Sequence, residues 1–266
     1  MKYDQMVLFS DMDGTLLNNQ SKVSEKNKEA IVSFVREGGH FGIATGRGPM
    51  NAWPYVQDLP INLPCIFYNG GAIYDYGTKR YLKICELPKQ KLEPLFACCY
   101  EQFPQVMLQI YEADLCYIVS DPSDAKEEIL KMHTPYRFCQ VTDILDRPWI
   151  KLLLHAEKTI LFEVENALKR LGLGDVVDWV FSSDIYLEIL PKHASKGSLL
   201  AEIRRMRNKE ERYYSVGDYN NDFAMLSQAD VGIAVSNAVP VLKEAADVIT
   251  VSNEEDAIAD IIYRIM

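Results

Sequence analysis

Two aspartates one residue apart, Asp11 and Asp13, end a short apolar run and are followed at once by Gly14 and Thr15. Carboxylates at this spacing suit a site that holds a metal ion and a phosphate. Two acids so close to a buried strand are costly unless something cationic sits between them. The same letters also fit a surface turn, because Asp-Gly is a common turn pair. Three later stretches bear on the choice: Thr45-Gly46-Arg47, Lys196-Gly197 and Gly217-Asp218-Tyr219-Asn220-Asn221-Asp222. Each has an ordinary reading as well, namely a loop tripeptide, a solvated lysine and a strand-end turn. Their joint placement is what favours chemistry.

That placement follows from the elements. Met6 to Phe9, Phe41 to Ala44 and Pro64 to Tyr68 read as short buried strands. Between the first two, Ser24 is a helix N-cap. Ala30, Ile31, Phe34 and Val35 lie on one helical face, and Gly38-Gly39 is the stop. Strand and helix alternate, as in a parallel sheet with right-handed crossovers. The three strand ends carry Asp11-x-Asp13, Thr45-Gly46-Arg47 and Asn69-Gly70-Gly71, all expected at one sheet edge. In such sheets ligands gather at the carboxyl ends of the strands.

After a hairpin around Gly77 the pattern changes to helices mixed with antiparallel strands, including an expected helix over Pro122 to Met132. From Ser195 the first style returns: a helix opened by Lys196, a strand Tyr213 to Val216 ending in Gly217-Asp218, and a closing helix over Glu255 to Ile265. The expected fold class is α/β, a doubly wound, Rossmann-like parallel-sheet core with an inserted α+β domain. The core is residues 1–83 and 186–266, and the insertion is 84–185.

The four stretches in this order, with a long insertion between the second and third, resemble the haloacid dehalogenase-like phosphohydrolases. Within them the chain resembles the Cof-type sugar-phosphate phosphatases, which carry a large C2B-type cap. Phe67-Tyr68-Asn69-Gly70-Gly71-Ala72 and Leu187-Glu188-Ile189-Leu190 resemble the segments that enter and leave that cap. His193 departs from the pattern, since relatives often place glycine or another small residue there.

The resemblance implies that Asp11 is the nucleophile, forming an aspartyl-phosphate, and that Asp13 is the proton donor to the leaving alkoxide. Free aspartate ionises near pH ~3.9, so at neutral pH it needs no base in order to attack. It also implies Mg²⁺ held by Asp11, the backbone carbonyl of Asp13 and Asp218, an all-oxygen set, with Asp222 orienting these ligands from behind. Thr45, Gly46 and Lys196 would hold the phosphoryl group. Asn221 would donate to the phosphate or hold Lys196. Arg47 would reach the substrate or the cap, and Asn69 the leaving group. Specificity is expected to lie in the insertion.

Composition narrows the partners. The chain has 266 residues, is 48% hydrophobic and carries a net charge of −10. That balance argues against nucleic acid or an anionic membrane as partner. The expected partner is a small phosphorylated metabolite, bound by a monomer or weak homodimer. Six cysteines without a C-x-x-C pair read as reduced thiols of a cytoplasmic protein. Four histidines show no metal-ligand spacing, which disfavours zinc. A phosphomutase on the same scaffold is the enzymatic alternative. A non-catalytic phosphate sensor would be expected to lack Asp11 or Lys196. A dinucleotide-dependent oxidoreductase is weakened by Gly46-Arg47-Gly48-Pro49, which never completes G-x-G-x-x-G.

Overall fold

The computed structural model describes residues 2–113, 115–120 and 134–266. The helix expected over Pro122 to Met132 lies outside them. Two compact units emerge: a discontinuous one, Met1–Lys83 with Ser195–Met266, and an inserted one, Ile84–Ala194. The second boundary is therefore at 194 and not 185. The strand Tyr186–Pro191 pairs on both sides within the inserted unit, so it belongs there.

The chain opens with strand β1, Met6–Ser10, and helix α1, Glu25–Arg36. Ser24 caps that helix through its side chain, which accepts from the Asn27 N–H, and Ala30, Ile31 and Phe34 form the buried face. Strand β2, His40–Ile43, and helix α2, Pro49–Val56, follow. Strands β3 (Cys65–Phe67), β4 (Ala72–Asp75) and β5 (Arg80–Ile84) form a separate three-stranded sheet. The expected third parallel strand is thus only partly one. It meets β2 through a single parallel bridge, Ala44 to Ile66, and makes its ladder antiparallel to β4.

The inserted unit contains α3 (Glu93–Gln102), β6 (Met107–Tyr111), β7 (Cys116–Ile118), β8 (Tyr136–Phe138), β9 (Lys151–His155), α4 (Lys158–Arg170), β10 (Val177–Ser183) and β11 (Tyr186–Pro191). Its sheet order is β10-β11-β9-β6-β7-β8, antiparallel except where β8 lies parallel to β7. Leu95 and Phe96 of α3, Leu161, Val164 and Leu168 of α4, and alternate strand residues such as Leu108, Ile110, Leu152 and Leu154 share one apolar core. That pattern fits a sheet covered by helices on one face.

The discontinuous unit resumes with α5 (Lys196–Arg207), β12 (Arg212–Gly217), α6 (Phe223–Gln228), β13 (Val231–Ala234), α7 (Pro240–Ala245), β14 (Val248–Ile249) and α8 (Ala257–Asp260). Its main sheet is all parallel in the order β14-β13-β12-β1-β2. From the central pair the chain winds one way, β1 to β2, and the other way, β12 to β13 and β14. Right-handed crossovers in opposite directions put α1 and α6 on opposite faces. The carboxyl ends of β1 and β12 are therefore the topological switch point, where doubly wound sheets leave a crevice. No helix among the described residues is long and apolar enough to cross a membrane.

Candidate active site

The register of β1 on β12 pairs Ser10 with Val216, and the Asp11 N–H donates to the Val216 carbonyl at 2.9 Å. Asp11 and Asp218, 207 positions apart in the chain, thus leave adjacent strands within one residue of the same level. Both sit where the sheet stops supplying backbone partners.

Lys196 enters from the first turn of α5 and has no exposed surface. Its Nζ donates to Asp11 Oδ1 at 2.5 Å and to Asp222 Oδ1 at 2.6 Å. The other oxygen of Asp222 accepts from the backbone N–H groups of Asp218 (3.0 Å) and Tyr219 (3.2 Å). Asp222 therefore folds the 218–222 loop around itself and fixes Lys196 against Asp11. Ser195 caps α5 by accepting from the Ser198 N–H, which sets the helix start that aims the lysine.

Charge is unevenly balanced here. Burial raises the Asp11 carboxyl well above its usual value; Lys196 opposes this, and Asp222 and Asp218 add to it. Burial also lifts Asp218 to about 7, together with repulsion from Asp222 and against the pull of Lys196. Burial disfavours the charge on Lys196, yet Asp11 and Asp222 outweigh it and hold the ammonium above its ordinary value. Asp11 is thus harder to ionise than a free aspartate, and positive charge beside it favours its carboxylate form. The residues present fit a hard cation. Oxygens of Asp11, Asp218 and Asp222 lie within 4.8 Å of one another. Asp222 is committed to Lys196 and to the backbone, and the set contains no nitrogen or sulfur.

Asp13 is turned to Arg47. The guanidinium Nε donates to Asp13 Oδ2 at 2.7 Å and Nη2 to Oδ1 at 2.6 Å, a two-pronged pair. Arg47 also donates to Asn51 Oδ1 at 2.8 Å and stacks on Tyr55, 4.5 Å from the ring centre. Within its own unit Arg47 thus grips Asp13. Thr45 is buried, and its hydroxyl accepts from the Arg47 N–H at 3.2 Å. Asn221 does not hold Lys196. Its side-chain amide donates to Asn69 Oδ1 at 3.0 Å. Four loops thereby converge: Thr45-Gly46-Arg47, Asn69, the start of α5, and 218–222.

Two partners had no assigned role in the sequence. Thr15 donates to Asp218 Oδ1 at 3.2 Å, and Asn237 donates to the Gly14 carbonyl at 2.8 Å. Thr15 stands inside the opening motif, where its hydroxyl was the available clue. Asn237 lies in a loop with no signal of its own. The departure at His193 has a local cost: its φ is +65°, a left-handed backbone that glycine adopts more readily. The Asp178 carboxylate, accepting from the His193 N–H at 2.5 Å, holds it there.

A family model described as haloacid dehalogenase-like hydrolase matches residues 8–262. The chain is 29% identical over 288 residues to 5-amino-6-(5-phospho-D-ribitylamino)uracil phosphatase YwtE of Bacillus subtilis, covering 96% of each protein. It is 27% identical over 274 residues to Endoribonuclease YBEY, chloroplastic, of Arabidopsis thaliana, covering 97% of this chain but 46% of that protein. Among solved structures, a haloacid dehalogenase-like hydrolase from Bacteroides thetaiotaomicron superposes with a TM-score of 0.83. That structure is 27% identical, and the match covers 99% of this chain and 100% of the other.

Proposed function

This chain belongs to the haloacid dehalogenase-like hydrolases, and from that membership we propose that it is a magnesium-dependent phosphatase of small phosphorylated metabolites, sugar or polyol phosphates above all. The observation that carries the reading is the buried Asp11–Lys196–Asp222 chain at the switch point, with Asp218 beside it. A nucleophilic carboxylate, a fixed ammonium and a second carboxylate for a cation are what transfer of a phosphoryl group needs. The phosphoribityl substrate named for YwtE supports the substrate class.

In this reading an Asp11 carboxylate oxygen attacks phosphorus, forming an O–P bond as the P–O bond to the leaving group breaks. Asp13 gives its proton to the leaving oxygen and takes one back from the water that hydrolyses the aspartyl-phosphate. Lys196 neutralises Asp11 and the charge that spreads over the phosphoryl oxygens. Thr45 and the backbone around Gly46 supply further donors. Asp11 and Asp218, with the Asp13 carbonyl, would hold Mg²⁺, which supplies Lewis-acid charge at the phosphoryl oxygens when bound. Arg47 aims Asp13.

The test is phosphate release from a panel of phosphorylated metabolites in Mg²⁺. Turnover is expected with sugar or polyol phosphates, to be lost in Asp11→Asn with the fold intact. Activity near the parent rate in that variant removes Asp11 from the nucleophile's role. Full activity after exhaustive chelation removes the metal.

A further inference from the structure

Asn69 is buried, 2% exposed, and its amide nitrogen has no hydrogen-bond partner. The Asn221 Oδ1 atom is likewise buried and unpartnered. A buried amide donor without an acceptor costs about 1–3 kcal/mol, so it calls for a reason. The single bond joining the two side chains uses one donor and one acceptor however each amide is turned. An amino group and a carbonyl oxygen are left over in every arrangement.

The setting of Asn69 is costly as well. Tyr68, Asn69 and Gly70 have φ of +55°, +54° and +107°, three left-handed residues in a row. A Cβ on Gly70 would lie 2.3 Å from the Ser195 carbonyl carbon, and one on Gly46 would lie 2.8 Å from Asn69 Nδ2. The Asn69 N–H donates to the Thr45 carbonyl at 3.1 Å. The turn is thus wedged against the Thr45-Gly46 loop on one side and the α5 start on another. Asn221 holds its amide from the third. Strain of this kind persists where surrounding structure enforces it, most often at ligand sites.

We infer that Asn69 is a phosphate-binding residue whose amide N–H₂, oriented by Asn221, donates to a non-bridging oxygen of the phosphoryl group. The assignment rests on the phosphatase reading for its ligand but not for its geometry. Its neighbours decide the oxygen. Asn69 lies against Gly46 and is bonded to Asn221, and the proposed function puts the phosphoryl group beside Gly46, so a phosphoryl contact takes the place of the leaving-group contact first expected of Asn69.

The experiment is calorimetric titration of the full-length protein in Mg²⁺ with inorganic phosphate, for the parent, Asn69→Gly and Asn69→Asp. Glycine keeps the left-handed backbone and removes the amide, while aspartate keeps the shape and replaces the donor with an acceptor. Both should bind phosphate about 10- to 100-fold more weakly. Their kcat/KM should fall by one common factor for p-nitrophenyl phosphate and for a sugar phosphate. An unchanged phosphate affinity in Asn69→Gly overturns the assignment, and so does a loss confined to sugar phosphates. Should the variants fail to fold, the Asn69 side-chain amide resonance of the parent decides. It should shift on adding phosphate but not chloride, and no shift counts against the inference. A parent that binds phosphate through Asn69 yet hydrolyses no ester would sink the phosphatase reading and leave this assignment standing.

Discussion

Lys196 has two carboxylate partners and no contact with water, so its loss acts on stability and rate together. Lys196→Met leaves Asp11 and Asp222 buried without a cation. Breaking such a pair from one side costs about 3–5 kcal/mol when no other charge replaces it. It also removes charge stabilisation worth about 10²–10³ in kcat. The expected outcome is a lower melting temperature in chelator, partly recovered in Mg²⁺, with activity lost in both. A variant as stable as the parent in chelator would mean that Lys196 is not the counter-charge. Arg47→Ala should behave differently. Its pair with Asp13 is partly exposed, so little stability is at stake. Asp13 would lose its orientation, and kcat should fall about tenfold for alkyl phosphates, a part of what proton transfer contributes. Aryl phosphates, whose leaving oxygen needs no proton, should hardly change. An equal loss on both would move Arg47 to substrate binding. Residue types and spacing single out the stretches that hold these side chains, and the family resemblance implies their roles. Which of them touch was not legible, because Arg47 reaches Asp13 across 34 positions and Asn221 reaches Asn69 across 152.

Among the elements, the turn after β3 carries more constraint than its length suggests. Gly70→Ala places a Cβ on the backbone of Ser195 and adds a side chain at φ +107°. Neither partner is a flexible side-chain end. A loss of about 1–3 kcal/mol is expected from each source, together with a fall in kcat as α5 and Lys196 shift. Gly172→Ala is the control: φ is +69° with nothing within 4 Å of the new Cβ, so only a modest stability loss follows and the rate holds. Thermal melts and initial rates on the two variants separate strain from collision. Equal stability losses would mean the Ser195 contact yields cheaply. Other elements differ in how well periodicity exposed them. The apolar runs of β1, β2 and β12 and the face of α1 were plain. A buried parallel strand and a buried antiparallel one look alike over three residues, which is why β3 reads as a full parallel strand although it makes one bridge to β2 and its ladder with β4. Strand β8, Tyr136–Phe138, is exposed throughout and has no buried face to betray it. The expected closing helix starts two residues late, because Asp256 takes φ +62° and separates a turn at Asn253–Glu255 from α8, which runs on as a wider helical turn over Ile261–Ile265.

At the scale of the whole molecule the excess of acid is ten charges, and part of it is gathered where burial makes it most costly. In the absence of a cation, Asp218 is lifted to about 7 from an ordinary 3.8, and Asp11 is raised too. A carboxyl whose folded value lies above its unfolded one binds more protons in the native state. Stability then falls as pH rises between the two values. The chelated protein should therefore melt at progressively lower temperature from about pH 4 to about pH 7, the window set by Asp218. Asp218→Asn should flatten that slope. Repulsion among surface charges would give a slope of the same sign, but high salt would abolish it, and the Asn variant would leave it in place. On the proposed function Mg²⁺ would bind the folded ligands alone, so its stabilisation should grow across the same window. At a hundred times its dissociation constant it should contribute about 2.7 kcal/mol, on the order of 5–10 °C in a domain of this size. Calorimetric scans at four pH values, with chelator or with Mg²⁺, measure all of this. A chelated protein whose melting temperature is flat across the window would show that Lys196 alone balances these acids, and the case for a cation at Asp11 and Asp218 would fail with it.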